Sequence, residues 1–226
     1  MKKYVMAFIA TVAFAGAANA VTLSFDLTGP YAGNQPSFSY TSGAVSLTVT
    51  GLSCGRTSTS PNSSTCRTER IDRGSTGIWM YRGGSDSHQV DTSGRNEFLK
   101  LSFSPDIQLD SATFTYVSDN DDFKLYKWNG TSWDYGGFGN ICGPGSGQSC
   151  PSNASASRTY DFAGTHIGGM FLFGANGHKD DWKLSGVSVE YTPPNNEPPV
   201  VPLPAGGVLL VSGLGALAVA KRRRKT

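Results

Sequence analysis

Between residues 21 and 191 the apolar side chains recur with a period of two, and this regularity excludes most architectures. Val45, Leu47 and Val49 alternate with Ser46, Thr48 and Thr50. Leu99, Leu101 and Phe103 alternate with Phe98, Lys100 and Ser102, while Ala112, Phe114 and Tyr116 alternate with Thr113 and Thr115. Such runs are strands with one buried face. Further candidate strands occupy 22–27, 37–41, 77–82, 123–128, 158–162, 168–173 and 182–191. No window sustains a helical stripe for three turns, and turn residues recur about every ten positions. About ten short strands without crossover helices predict an all-β fold, an antiparallel two-sheet sandwich of jelly-roll type.

The two ends of the chain do not share this pattern. Lys2 and Lys3 precede an apolar run, and Ala18-Asn19-Ala20 supplies the small-x-small pattern that signal peptidase accepts, so residues 1–20 read as a signal peptide cut after Ala20. Residues 21–191 then form the domain. Residues 192–200, TPPNNEPPV, are too proline-rich for either regular structure and read as a semi-rigid spacer. Residues 201–226 contain Val201-Pro202-Leu203-Pro204-Ala205, an apolar stretch over 206–220 that predicts a C-terminal apolar helix, and the basic run 221–225. Seven of the 19 basic residues lie in 1–20 and 201–226 and none of the 17 acidic ones does, which leaves 12 basic against 17 acidic residues over 21–200, a net charge of −5. That balance argues against a nucleic-acid partner.

Export would place Cys54, Cys66, Cys142 and Cys150 where disulfides persist. Three pairings of four cysteines exist. The local ones, Cys54 with Cys66 and Cys142 with Cys150, are favoured because each brackets a loop of small and polar residues that little else would order. Zinc is the alternative, but these gaps do not resemble the close Cys-x-x-Cys pairs of zinc sites.

Little in the sequence points to catalysis. His88, His166 and His178 are scattered, and no G-x-S-x-G, H-E-x-x-H or phosphate-binding glycine loop is present. Two other constellations carry chemistry. The loop Ser118-Asp119-Asn120-Asp121-Asp122 offers clustered oxygens, of which Asp119, Asp121 and Asp122 are candidate calcium ligands, although its spacing is not that of an EF-hand. Trp128, Trp133 and Tyr135, with Phe138 nearby, crowd the segment 127–140 and form a candidate sugar-stacking platform, the alternative being hairpin packing at a sandwich edge. One internal echo links Asp121-Asp122-Phe123-Lys124-Leu125 with Asp180-Asp181-Trp182-Lys183-Leu184. It reads as two loop-to-strand entries with solvated aspartates and a buried aromatic.

The order V-P-L-P-A, apolar segment, K-R-R-R-K resembles the VPLPA variant of the PEP-CTERM sorting signal, read by exosortase-type membrane proteases. The resemblance implies export, transient anchoring in the inner membrane by the tail, cleavage near the motif, and a cell-surface or extracellular-matrix destination beside exopolysaccharide. Independently, the apolar run backed by positive charges predicts a weak membrane hold with its basic end inside. The region 90–128, with Asp91, Gly94 and Glu97 in a D-x-x-G-x-x-E pattern and the strand F-L-K-L-S-F, is similar to jelly-roll domains that accompany such tails. A non-enzymatic surface or matrix protein whose sandwich binds polysaccharide or simply populates the envelope is the leading expectation. The runner-up is a secreted hydrolase of surface glycans, which would need two carboxylates facing across a cleft.

Overall fold

Why one strand can organise the whole chain follows from its length. The computed structural model describes residues 19–55, 60–81, 89–118, 121–141, 156–163, 166–175, 177 and 180–194. In chain order their strands are β1 (Val21–Asp26), β2 (Ala32–Gln35), β3 (Phe38–Ser42), β4 (Val45–Gly55), β5 (Arg67–Gly74), β6 (Gly77–Tyr81), β7 (Arg95–Val117), β8 (Asp122–Trp128), β9 (Trp133–Asn140), β10 (Ala156–Asp161), β11 (Ile167–Ala175) and β12 (Lys183–Tyr191). No helix occurs among the described residues. The strands that the alternation predicts over 97–103 and 112–116 are two halves of β7, which is 23 residues long.

The two halves are joined out of phase. Leu99, Leu101, Phe103, Ile107 and Leu109 are buried in odd register, whereas Ala112 and Phe114 are buried in even register. The change falls at Asp110, which the pairing with β12 skips, and such a bulge keeps both halves facing the core. Ser104, Pro105 and Asp106 are exposed at the middle of the strand, where a proline without an N–H is tolerated.

Every pairing is antiparallel. The first half of β7 pairs with β4 and the second with β12, while β5 and β6 link β4 to β12, so the pairings close a circuit of barrel type. On the other edge of β7, β11 continues into β8 and β9, and β10 lies beside the second half. Phe114 is the hub of the enclosed core. Its ring lies 4.9 Å from Phe123, 5.1 Å from Trp182 and 6.2 Å from Phe173. The aromatics of the two echoed motifs thus pack on the same residue.

Of the four cysteines, Cys54 and Cys66 form a disulfide with Cα atoms 3.9 Å apart. Cys142 and Cys150 lie outside the described residues, as do Ala18 and residues 201–226. Truncation of the hub tests the packing account. Phe114→Ala should lower the unfolding free energy by about 3–5 kcal/mol, against less than about 0.5 kcal/mol for Ile167→Ala on the surface. Urea unfolding measures both, and equal losses would contradict the placement of the hub.

Candidate functional site

The aromatic segment 127–140 forms an antiparallel hairpin of β8 and β9. Asn129 builds its turn: Oδ1 accepts from the amides of Thr131 and Ser132, both at 2.9 Å, and Nδ2 donates to Asp134. Because side chains alternate across a strand, the register assigns the aromatics to one face. Leu52, Phe98, Gly174, Lys124 and Phe138 form one row across β4, β7, β11, β8 and β9. Thr50, Lys100, Leu172, Tyr126 and Tyr135 form the next, and Trp128 sits opposite Trp133 beyond it. This is the face turned away from Phe114.

Trp128 and Trp133 meet edge to face at 5.1 Å, and Tyr126 and Tyr135 at 5.4 Å. Tyr135 and Phe138 are 57% and 62% exposed, whereas Phe98, Tyr126 and Leu172 are buried. The chain following Cys54 accounts for that difference. Asn62 reaches the free edge of β9, accepting the amide of Trp133 at 2.7 Å and donating to its carbonyl at 2.9 Å. Cys66 then bonds to Cys54, so the strap over 60–66, closed by the disulfide, covers part of the face, with Cys54 and Cys66 packed against Phe98, Tyr126 and Leu172, and leaves Tyr135 and Phe138 open. The hairpin thus carries both packed and exposed rings, Trp128 against Trp133 and Tyr126 on one hand, Tyr135 and Phe138 on the other.

The acidic candidates behave differently. Asp121 is fully buried, and its carboxylate accepts the amides of Ser118 and Asp181, joining the two echoed motifs. Asp180 is also buried, which corrects the expectation that the paired aspartates stay solvated. Burial, together with Asp181 and Asp180 nearby, pushes Asp121 up to about 7 against the relief given by its two amide donors. Burial likewise raises Asp181, with Asp91 adding to it. Asp122 is half-buried on β8, and Asp119 lies outside the described residues. Among the described residues no three acidic, histidine or cysteine side chains are arranged to hold a metal ion.

The D-x-x-G-x-x-E pattern is a turn. Glu97, fully buried, accepts the amide of Asp91 at 3.2 Å, Asp91 accepts that of Ser93 at 2.7 Å, and Gly94 has a φ of +83°. His166 packs 5.5 Å from the Phe162 ring, and burial and then Lys127 lower its pKa; His88 and His178 lie outside the described residues. A shallow groove of about 480 Å³ between β1, β12 and β7 is lined by hydroxyls such as Ser24, Ser111 and Ser188, and Thr28 donates twice to Asp26 beside it.

No family model, curated protein or solved structure matches this chain.

Asp121 holds its proton more tightly folded than unfolded, where its value is near 3.8. Its contribution to stability is therefore full below that value, falls as pH rises to about 7, and is constant above. His166 acts with the opposite sign, since a lowered histidine loses stability as pH falls below 6.5. The difference between wild type and Asp121→Asn isolates the carboxyl. Urea midpoints at pH 5 and pH 8 should show wild type losing more stability across this interval than the variant, and identical losses would refute the assignment.

Proposed function

We propose that this is an exported cell-surface or extracellular-matrix protein that binds polysaccharide without acting on it as an enzyme, and is sorted through its VPLPA tail. The observation that carries the binding is the alignment of Trp128, Trp133, Tyr135 and Phe138 on one face of the β8–β9 hairpin. Exposed rings of this kind bury the apolar face of a pyranose and leave its hydroxyls to water. Support for export and sorting comes from the basic-apolar-small leader ending at Ala20 and from the V-P-L-P-A, apolar, basic order of 201–226.

The processing enzymes in this reading are signal peptidase and an exosortase-type protease, with the inner membrane holding the tail until cleavage. Exopolysaccharide is the lasting partner. We read the all-antiparallel strands around a shared core as a jelly-roll-type sandwich. The hydrolase reading has less behind it. Asp121, one of the acids it would place at an open cleft, is buried and committed to backbone amides. Calcium, if held by Asp119, Asp121 and Asp122, would serve structure, and an unchanged melting temperature on adding calcium or chelator would dismiss it.

Titration of the purified protein with surface polysaccharides should change tryptophan fluorescence. Trp128→Ala or Tyr135→Ala should weaken binding at least about tenfold, the effect of losing one aromatic anchor. Wild-type affinity in both variants would overturn the platform. For the tail, mass spectrometry of the surface form should find a C-terminus upstream of residue 221, and an intact 221–226 would end the processing proposal.

A further inference from the structure

The groove of about 480 Å³ along β12 lies apart from both the aromatic hairpin and the buried acids. Its shape follows from side-chain size. β12 is flanked by β1 on one side and by the second half of β7 on the other. Phe25, Ala112 and Val187 face the core, so their neighbours in sequence face out. On β12 the outward positions are Gly186 and Ser188, both small, with Ser24 and Asp26 of β1 and Ser111 and Thr113 of β7 beside them. Gly186 lowers the floor, since a Cβ there would stand 3.8 Å from the Cβ of Thr113. The result is a trough two strand spacings wide, about 9–10 Å.

Register sets its chemistry. Ser24 pairs with Ser188 and Ser188 with Ser111, so three serines form one row across three strands. Cβ atoms in such a row stand about 4.5–5.5 Å apart. Among the described residues none of the three hydroxyls has a hydrogen-bond partner, and each can both donate and accept. In the next row Asp26 Oδ1 accepts from the Thr28 amide at 2.9 Å and from its hydroxyl at 2.7 Å. These bonds fix the carboxylate and leave Oδ2 without a partner among the described residues. The hydroxyl, and then the amide, hold the carboxyl below its usual 3.8, so it is charged at neutral pH.

The lining selects a ligand by what it lacks. No lysine, arginine or histidine borders the groove, and Asp161, paired with Ser111, adds negative charge to the same row. An anionic ligand is therefore repelled. A metal ion has one carboxylate to bind, and no three acidic, histidine or cysteine side chains are grouped to hold one among the described residues. Phe25 and Val187 are only 4% and 3% exposed, which leaves little apolar surface for a ring to cover. A neutral ligand dense in hydroxyls matches what remains. Because the groove is shallow, it suits a chain laid along it rather than an enclosed small molecule.

We propose that this groove is a second binding site, for a single chain of neutral polysaccharide, whose hydroxyls donate to Asp26 Oδ2 and exchange hydrogen bonds with Ser24, Ser111 and Ser188. This rests on the reading of the protein as a polysaccharide binder and adds a site that works by hydrogen bonding where the hairpin works by stacking. With a site on each surface, one molecule can join two chains, and such bivalence is what cross-links a matrix.

The test is an NMR titration of the purified protein with the neutral sugars maltotriose, cellotriose and mannotriose, and with trigalacturonate. A neutral trisaccharide should shift the amides of 24–28, 111–113 and 185–188. Asp26→Asn removes the charge but keeps an acceptor for Thr28, and Ser188→Val removes a hydroxyl and raises the floor with a side chain suited to a strand. Each should weaken the binding read at these amides at least about fivefold, as for the loss of one hydrogen bond to a sugar, without altering that read at 126–138. Trp128→Ala should do the reverse. Neutral sugars that shift only 126–138 overturn the groove and leave the hairpin as the platform. Groove shifts that persist at full affinity in both variants, or that trigalacturonate alone produces, overturn the assigned chemistry. Shifts with none of the sugars overturn the groove and the polysaccharide reading together.

Discussion

A strand has two edges, and each backbone N–H and C=O along them must find a partner. The 23 residues of β7 provide enough edge for four partner strands, two on either side, and this is the constraint from which the rest of the fold follows. A single register would have buried one half of β7 and exposed the other. The bulge at Asp110 shifts the phase by one residue, so that Leu109 and Ala112 face the same interior. Phe114 stands just beyond this shift, which is why Phe123 and Trp182, distant in sequence, reach the same ring.

A sheet buried on one side still presents the other, and this protein treats its outer surfaces unequally. On β8 and β9 it places aromatics and covers some of them with the strap from Cys54 to Cys66. On β1, β12 and β7 it places small hydroxyls and a carboxylate held by Thr28. Both surfaces depend on the core behind them. The side chains that point outward at these positions do so because their neighbours in sequence are fixed inward.

The alternation at Val45 to Val49 and Leu99 to Phe103 made the β-class readable, since each inward position carries a large apolar residue. β5 was not readable: RTERIDRG shows no apolar alternation, and its buried positions include Asp72 and Gly74. β9 was hidden by its glycines. One of them, Gly139, leaves room for Phe123, whose ring would lie 2.2 Å from a Cβ there. Tyr116 continued the period of Ala112 and Phe114, yet a left-handed φ turns it onto Lys183, and no pattern of residue types announces that reversal. The aromatics of the hairpin were legible as a group because they are near in sequence. The serine row of the groove was not, since Ser24, Ser111 and Ser188 come from three separate strands.

The strap has a bearing on when the molecule is complete. Strand pairing and the Phe114 core need only the chain itself, whereas the base of the strap is a bond between two sulfur atoms and needs an oxidant. Among the described residues, the cover over Phe98, Tyr126 and Leu172 is therefore a part whose formation depends on its surroundings. A chain folded in a reducing medium would hold its core intact and its outer face unfinished. Completion of the aromatic surface is in this sense a report on the redox conditions around the chain.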